Sequence, residues 1–129
     1  MTRGDEMKQI LAIDDYKECY GATKIARTFE EGCEALFSNT HWDELWLDYD
    51  LGGGYDCDGG SQETGLTILN RMEELMTKDV GLETNPTYTP PEIIRIISQH
   101  SKGKEMYEKI CKWKSARLIK EAHCDIFAR

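Results

Sequence analysis

The segment Leu45–Gly54, L-W-L-D-Y-D-L-G-G-G, limits what this chain can fold into more than any other stretch. It opens on a short apolar run, Leu45-Trp46-Leu47, of the kind that fits a strand buried within a parallel sheet. Two carboxylates, Asp48 and Asp50, follow, and then three glycines. An unpaired carboxylate is costly to desolvate, so the strand must leave the core at Asp48. The two-residue period of a strand puts Asp48 and Asp50 on one side. Like charges held that close call for a cation or a proton. Carboxylate oxygens gathered at a strand end are hard ligands suited to Mg2+, and the glycines let the following loop bend sharply around such a site.

The rest of the chain repeats this pattern. Gln9–Ile13 is an apolar run that ends in the acidic pair Asp14-Asp15, and Lys24–Arg27 reads as a short edge strand. Thr28-Phe29-Glu30-Glu31 is a capping box that starts a helix carrying Phe29, Cys33, Leu36 and Phe37 at helical spacing. A second helix is expected from Glu63 to Thr77, with Leu66, Leu69, Met72, Leu75 and Met76 as its buried stripe. Lys78–Pro91 holds all three prolines and reads as a connection. Glu92–Ile97 is a β-branched strand ending in Ser98-Gln99-His100-Ser101. Lys102–Trp113 reads as a helix with Met106, Ile110 and Trp113 on one face, and Ala116–Ile119 as a last strand. Strands alternating with helices predict an α/β fold with a parallel sheet, in a single domain over residues 1–129. In such sheets ligands bind beyond the carboxyl ends of the strands. Three strand ends here carry polar groups: Asp14-Asp15, Asp48-Tyr49-Asp50 and Ser98–Ser101.

A formal charge of −8 argues against binding to a nucleic-acid polymer or an anionic membrane. No apolar run approaches the roughly 20 residues of a membrane helix, and no signal peptide is visible. The five cysteines are an odd, widely spaced set without a C-x-x-C, which predicts reduced thiols in a cytoplasmic protein.

These motifs resemble a receiver domain of the two-component type, and more closely a divergent offshoot, the cyclic-phosphate processing receiver-like family. The likeness runs from about Ile10 to Met106. It rests on I-D-D (Ile13–Asp15), T-F-E-E-G (Thr28–Gly32), L-D-Y-D-L-G (Leu47–Gly52), T-G-L (Thr64–Leu66) and I-S-Q-H-S-K-G-K-E-M (Ile97–Met106). Aligned on Gly103, Ile97-Ser98-Gln99-His100 stands where the family has His-Ser-x-Asn. The resemblance implies a receiver-like, flavodoxin-like sheet of five strands in the order 2-1-3-4-5, with helices on both faces. The short interval between Asp15 and Asp48 implies a reduced or missing first helix. The resemblance also implies metal-assisted processing of a cyclic phosphate or nucleotide.

Asp14, Asp15, Asp48 and Asp50 are the expected ligands of Mg2+ or Mn2+, against the alternative of a solvated rim of caps and turns. Asp48, Ser98 and His100 are the expected catalytic set. His100 is either a general acid/base or an exposed loop histidine, and Ser98 either donates to phosphate or caps the next helix. Ser101 and Lys102, at that helix start, are expected to meet a small anionic phosphate ligand. Three functions follow: a metal-dependent cyclic phosphoesterase, a receiver phosphorylated on Asp48, and an inactive module that binds a ligand or a protein partner. The receiver reading lacks its usual lysine, since Lys120 lies in no convincing motif.

Overall fold

A computed structural model describes residues 8–15, 17–38, 40–51, 63–77, 88–98 and 101–125. In chain order the elements are β1 (Ile10–Ile13), β2 (Lys24–Ala26), α1 (Phe29–Leu36), β3 (Glu44–Leu47), α2 (Gly65–Thr77), β4 (Ile93–Ile96), α3 (Gly103–Ser115) and β5 (Glu121–Cys124). The strands form one parallel sheet in the order β2-β1-β3-β4-β5, as expected for a receiver-like fold.

Successive strand residues point to opposite sides, so the register divides the sheet into two unlike faces. Leu11 pairs with Leu45 and then Ile94, and Ile13 with Leu47 and then Ile96. All six are fully buried. On the other face Ala12 pairs with Trp46, Trp46 with Arg95, and Arg95 with His123. The core cluster joins the first set to Phe29, Leu36, Ile68, Leu69, Met72, Met106, Ile110 and Trp113, and includes none of the second. All three helices therefore pack on one side.

This corrects the expectation of helices on both faces, and chirality gives the reason. Parallel crossovers are right-handed almost without exception. The connections β2–β3, β3–β4 and β4–β5 all step the same way across the sheet, so their helices share a face. Only β1–β2 steps the other way. Among the described residues that connection contains no helix, only a turn in which Ala22 N–H donates to the Cys19 carbonyl at 3.2 Å. Thr23 N–H then donates to Ile10 O at 2.8 Å, bringing the chain directly into β2.

The helix ends follow local chemistry. Thr28 Oγ1 accepts from Glu31 N at 3.0 Å, while the Glu31 carboxylate accepts from Arg27 N at 2.8 Å, one residue earlier than in the usual reciprocal box. In α2 the buried side chains are Ile68, Leu69 and Met72, whereas Leu66 and Met76 are only partly buried and Leu75 is exposed. The expected stripe was thus displaced toward Ile68.

The last strand also lies elsewhere than expected. Ala116–Ile119 is not a strand, and β5 begins at Glu121. Helix α3 ends in a paired-bond cap, with Leu118 N–H donating to Trp113 O and Arg117 N–H to Lys114 O, both at 2.9 Å. Arg117 adopts φ 66° in this cap. Leu118 is exposed while Ile119 is buried, so the apolar pair belongs to a turn and its return to the core.

The left-handed region costs a residue with a Cβ about 1–2 kcal/mol, and glycine is the usual occupant of this position. Arg117→Gly should therefore stabilise the protein by about 1 kcal/mol, net of the greater freedom that glycine has in the unfolded chain. Urea denaturation would read this as a higher midpoint at unchanged slope.

Candidate functional site

β1 and β3 are adjacent, and their ladders run one residue past each strand. Asp14 N–H donates to Ala26 O at 3.1 Å, and Asp48 N–H to Ile13 O at 3.0 Å. This places the Asp14 and Asp48 carboxylates side by side at the carboxyl rim. Both are buried, Asp14 completely and Asp48 to within 6 %. With Asp15, which is partly exposed, they bring carboxylate oxygens within 4.8 Å of one another. Asp50 does not join them. It is exposed and forms an antiparallel bridge with Thr64, which ties together the two ends of the glycine-rich segment.

Burial, and then repulsion from Asp14, push the Asp48 carboxyl up to about 6. Three contacts oppose that rise: the Lys17 ammonium, the Tyr49 backbone N–H donating to Asp48 Oδ1 at 2.8 Å, and the Ser98 hydroxyl. Asp15 is raised as well, by burial and then by Asp14 and Asp50. Ser98 is fully buried. It bonds the Asp48 carboxylate, whereas the residue capping α3 is Lys102, which makes no side-chain cap bond. Ser98 therefore does not cap α3, and the partner it bonds is a carboxylate of the acidic site.

Lys17 was not singled out from the sequence. Its backbone N–H donates to Asp14 Oδ1 at 2.9 Å, its ammonium donates to Ile97 O at 2.7 Å, and Nζ lies 3.7 Å from Asp14 Oδ2. Arg27 holds this segment down by donating to the carbonyls of Asp14 at 3.2 Å and Lys17 at 2.6 Å. The only local signal was a lysine three residues after an aspartate, a common turn pattern. By contrast Lys120 lies at the far end of the sheet, where its N–H donates to Glu92 O and its ammonium is 3.6 Å from the Glu92 carboxylate.

Gly65 lets α2 begin against this rim. A Cβ there would collide with the Asp48 carbonyl and with Met106 Cε. Gly65 N–H donates to Tyr49 O at 2.9 Å, and Thr64 Oγ1 accepts from Thr67 N at 3.2 Å as the helix cap. Ser101 and Lys102 are exposed at the first turn of α3, where Lys102 pairs with Glu105 at 3.6 Å. His100 and Gln99 lie outside the described residues, as do residues 52–62 with Asp56, Cys57 and Asp58.

The donor set fits a hard divalent cation. Three carboxylates converge, and their spacing approaches the roughly 3–4 Å between oxygens that share one octahedral Mg2+. Asp14, Asp15 and Asp48 are the residues that could hold it.

The cyclic-phosphate processing receiver domain family matches residues 9–112. The chain belongs to that family. Its acidic pair and its central aspartate are the residues that the fold brings together at the rim. No curated protein matches the chain. A solved chain, described as a yeast Spc42 trimeric coiled-coil segment fused to another structure, is 19% identical with a TM-score of 0.46. That likeness covers 90% of this chain and 68% of the other, and is too distant to bear on function. Among the described residues, no helix is long and apolar enough to cross a membrane.

Without metal, the raised Asp48 group binds a proton more tightly in the folded than in the unfolded chain. Its ionisation therefore costs nothing below about pH 4, and the cost is complete above about pH 6. A rise from 3.8 to about 6 corresponds to a loss of about 3 kcal/mol of stability as pH increases through that window. Asp48→Asn should remove this loss. The difference in unfolding free energy between variant and wild type in chelator should grow from near zero at pH 4 toward that value at pH 7.

Proposed function

We propose that this receiver-like domain processes a small cyclic phosphate or cyclic nucleotide with the help of Mg2+ or Mn2+ held by Asp14, Asp15 and Asp48. The observation that carries this reading is the burial of Asp14 and Asp48 side by side, with a third carboxylate within 4.8 Å. A fold gains nothing from ionising such a cluster unless a cation compensates it. When bound, the cation would supply charge to polarise the phosphoryl group.

The chain's own groups have distinct parts. Ser98 and the Tyr49 N–H hold the Asp48 carboxylate in place. Lys17, fixed by Ile97 O and beside Asp14, offers an ammonium to the charge that grows on the phosphoryl oxygens. His100, two positions after Ser98, is the proposed general acid/base that moves the proton between water and the leaving oxygen. Exposed Ser101 and Lys102 would meet the ligand's outer oxygens.

Mg2+ should raise the melting temperature, adding about 2.7 kcal/mol of stability at a hundredfold excess over Kd. The shift should weaken below about pH 6, where Asp48 takes up a proton, and vanish in Asp48→Asn. Product release from a panel of cyclic phosphates should require the metal, and His100→Ala should slow it by about 10²–10⁴-fold while sparing the thermal shift. A shift that survives Asp48→Asn would place the ion elsewhere.

Lys17 favours a second reading. A receiver needs an ammonium near its phosphoacceptor, and Lys17 stands beside Asp14 with its charge acting on Asp48. Under that reading a small phosphodonor adds one phosphoryl group to Asp48, read by intact mass, and His100→Ala leaves the loading unchanged. Loading without turnover of any cyclic phosphate would favour the receiver.

A further inference from the structure

Among the described residues no helix covers the second face of the sheet, and that face is not uniformly closed. Toward the amino ends of the strands it is sealed by polar pairing around Glu44, which is buried on that face. Trp46 Nε1 donates to Glu44 Oε2 at 2.8 Å, Lys8 Nζ donates to Oε1 at 3.3 Å, and Arg95 Nε lies 3.8 Å from Oε2. Toward the carboxyl ends the surface opens into a cavity of about 480 Å³ lined by Lys17, Cys19, Trp46, Arg95, Ile97 and Asp125. That volume falls within the usual range for small-molecule sites.

This cavity adjoins the acidic rim. Asp48 continues the ladder one residue past β3 and stands two positions after Trp46, on the same face and about 6.7 Å farther along the chain. Lys17 joins the two regions, since it lines the cavity and is also paired with Asp14. In a fold with a helix between β1 and β2, that helix would occupy this face. Here the chain turns at Cys19–Ala22 instead, and the indole of Trp46 remains partly exposed.

We propose that this cavity holds the base of a nucleoside cyclic phosphate, stacked on Trp46, while the phosphoryl group lies at the acidic rim. The proposal rests on the function proposed above and names its substrate class. Four features match a nucleotide. The backbone positions of Trp46 and Asp48 are about 6.7 Å apart, about the span of one ribose. The indole is a flat platform, and every base has a face that stacks on one. Arg95 and Asp125, paired at 3.3 Å, set a donor and an acceptor at the edge of the cavity for the polar rim of a base. Lys17 stands where base subsite and phosphate subsite meet, so that an anionic ligand finds a cation in a chain of net charge −8.

The test is equilibrium binding to the full chain, followed by tryptophan fluorescence. Trp42 and Trp113 are buried in the helix-side core, so quenching by a ligand on the open face reports Trp46. The probes are the four nucleoside 2′,3′-cyclic monophosphates, a base-free cyclic phosphodiester of glycerol, and the corresponding nucleosides, each with and without Mg2+. At least one nucleotide should bind about tenfold or more tightly than the base-free ester. Trp46→Leu, assayed by calorimetry, should abolish that preference for nucleotide over base-free ester. Equal affinity for nucleotide and base-free ester, or a preference that survives Trp46→Leu, would overturn the base subsite while leaving the phosphate reading intact. Nucleosides that quench Trp46 without regard to Mg2+, with no metal-dependent gain from the phosphate, would support the subsite and overturn the metal-phosphate reading. No binding by any probe would overturn both.

Discussion

Two carboxylates buried next to each other at the ends of paired strands set the terms for the rest of this structure. The β1–β3 ladder itself brings the Asp14 and Asp48 backbones side by side, and both carboxylates are buried there. Their neighbours act to offset that repulsion. Lys17 folds back over the rim to reach Ile97 O, Ser98 and the Tyr49 N–H bond the Asp48 carboxylate, and Arg27 anchors the segment that carries Lys17. The compensation is incomplete, because the Asp48 carboxyl is still raised to about 6. A site that remains unfavourable when fully ionised is one that gains from binding a cation, and this is the physical link between the fold and the proposed chemistry.

The second organising feature is the one-sided helix layer. Right-handed crossovers that all step in one direction commit α1, α2 and α3 to the Leu11–Ile13 side of the sheet. Among the described residues, the opposite face carries a polar arrangement around Glu44 rather than a helix. A buried carboxylate in that position is tolerable because an indole N–H, an ammonium and a guanidinium surround it. Where that network ends, the cavity beside Trp46 begins, directly next to the acidic rim. With no helix between β1 and β2 among the described residues, the surroundings of the site differ while the strand ends that build it are kept.

Close approach explains two glycines of the family motifs that otherwise look like simple loop residues. A Cβ on Gly32 would come within 2.8 Å of Ile13 Cγ2, so α1 could not lie as close to β1. A Cβ on Gly65 would meet the Asp48 carbonyl, so α2 could not start at the rim. Both contacts bear on the residues on either side of the acidic pair, and both explain why a small residue stands where helix propensity alone would favour alanine.

Much of the fold was legible in the chain because its signals are local. Apolar runs ending in Asp14-Asp15, Asp48 and Ser98 marked three strands and their exit from the core, and the Thr28–Glu31 pattern marked a helix start; each depends on residues a few positions apart. The site was legible to the same extent: the sequence determined that Asp14, Asp15, Asp48 and Ser98 would stand at strand ends on one rim. Tertiary structure decided the rest. The bond from Lys17 to Ile97 O spans 80 residues and leaves no mark on either segment. Asp50 pairs with Thr64 in a bridge, and the converging group is Asp14, Asp15 and Asp48, although Asp50 still acts on Asp15 through its charge. The end of α3 was hidden because its left-handed cap is Arg117 rather than a glycine, which made Ala116–Ile119 resemble a strand. That α1, α2 and α3 would all share one side of the sheet was not visible either, because handedness acts on the path of the whole chain and not on any one stretch of it.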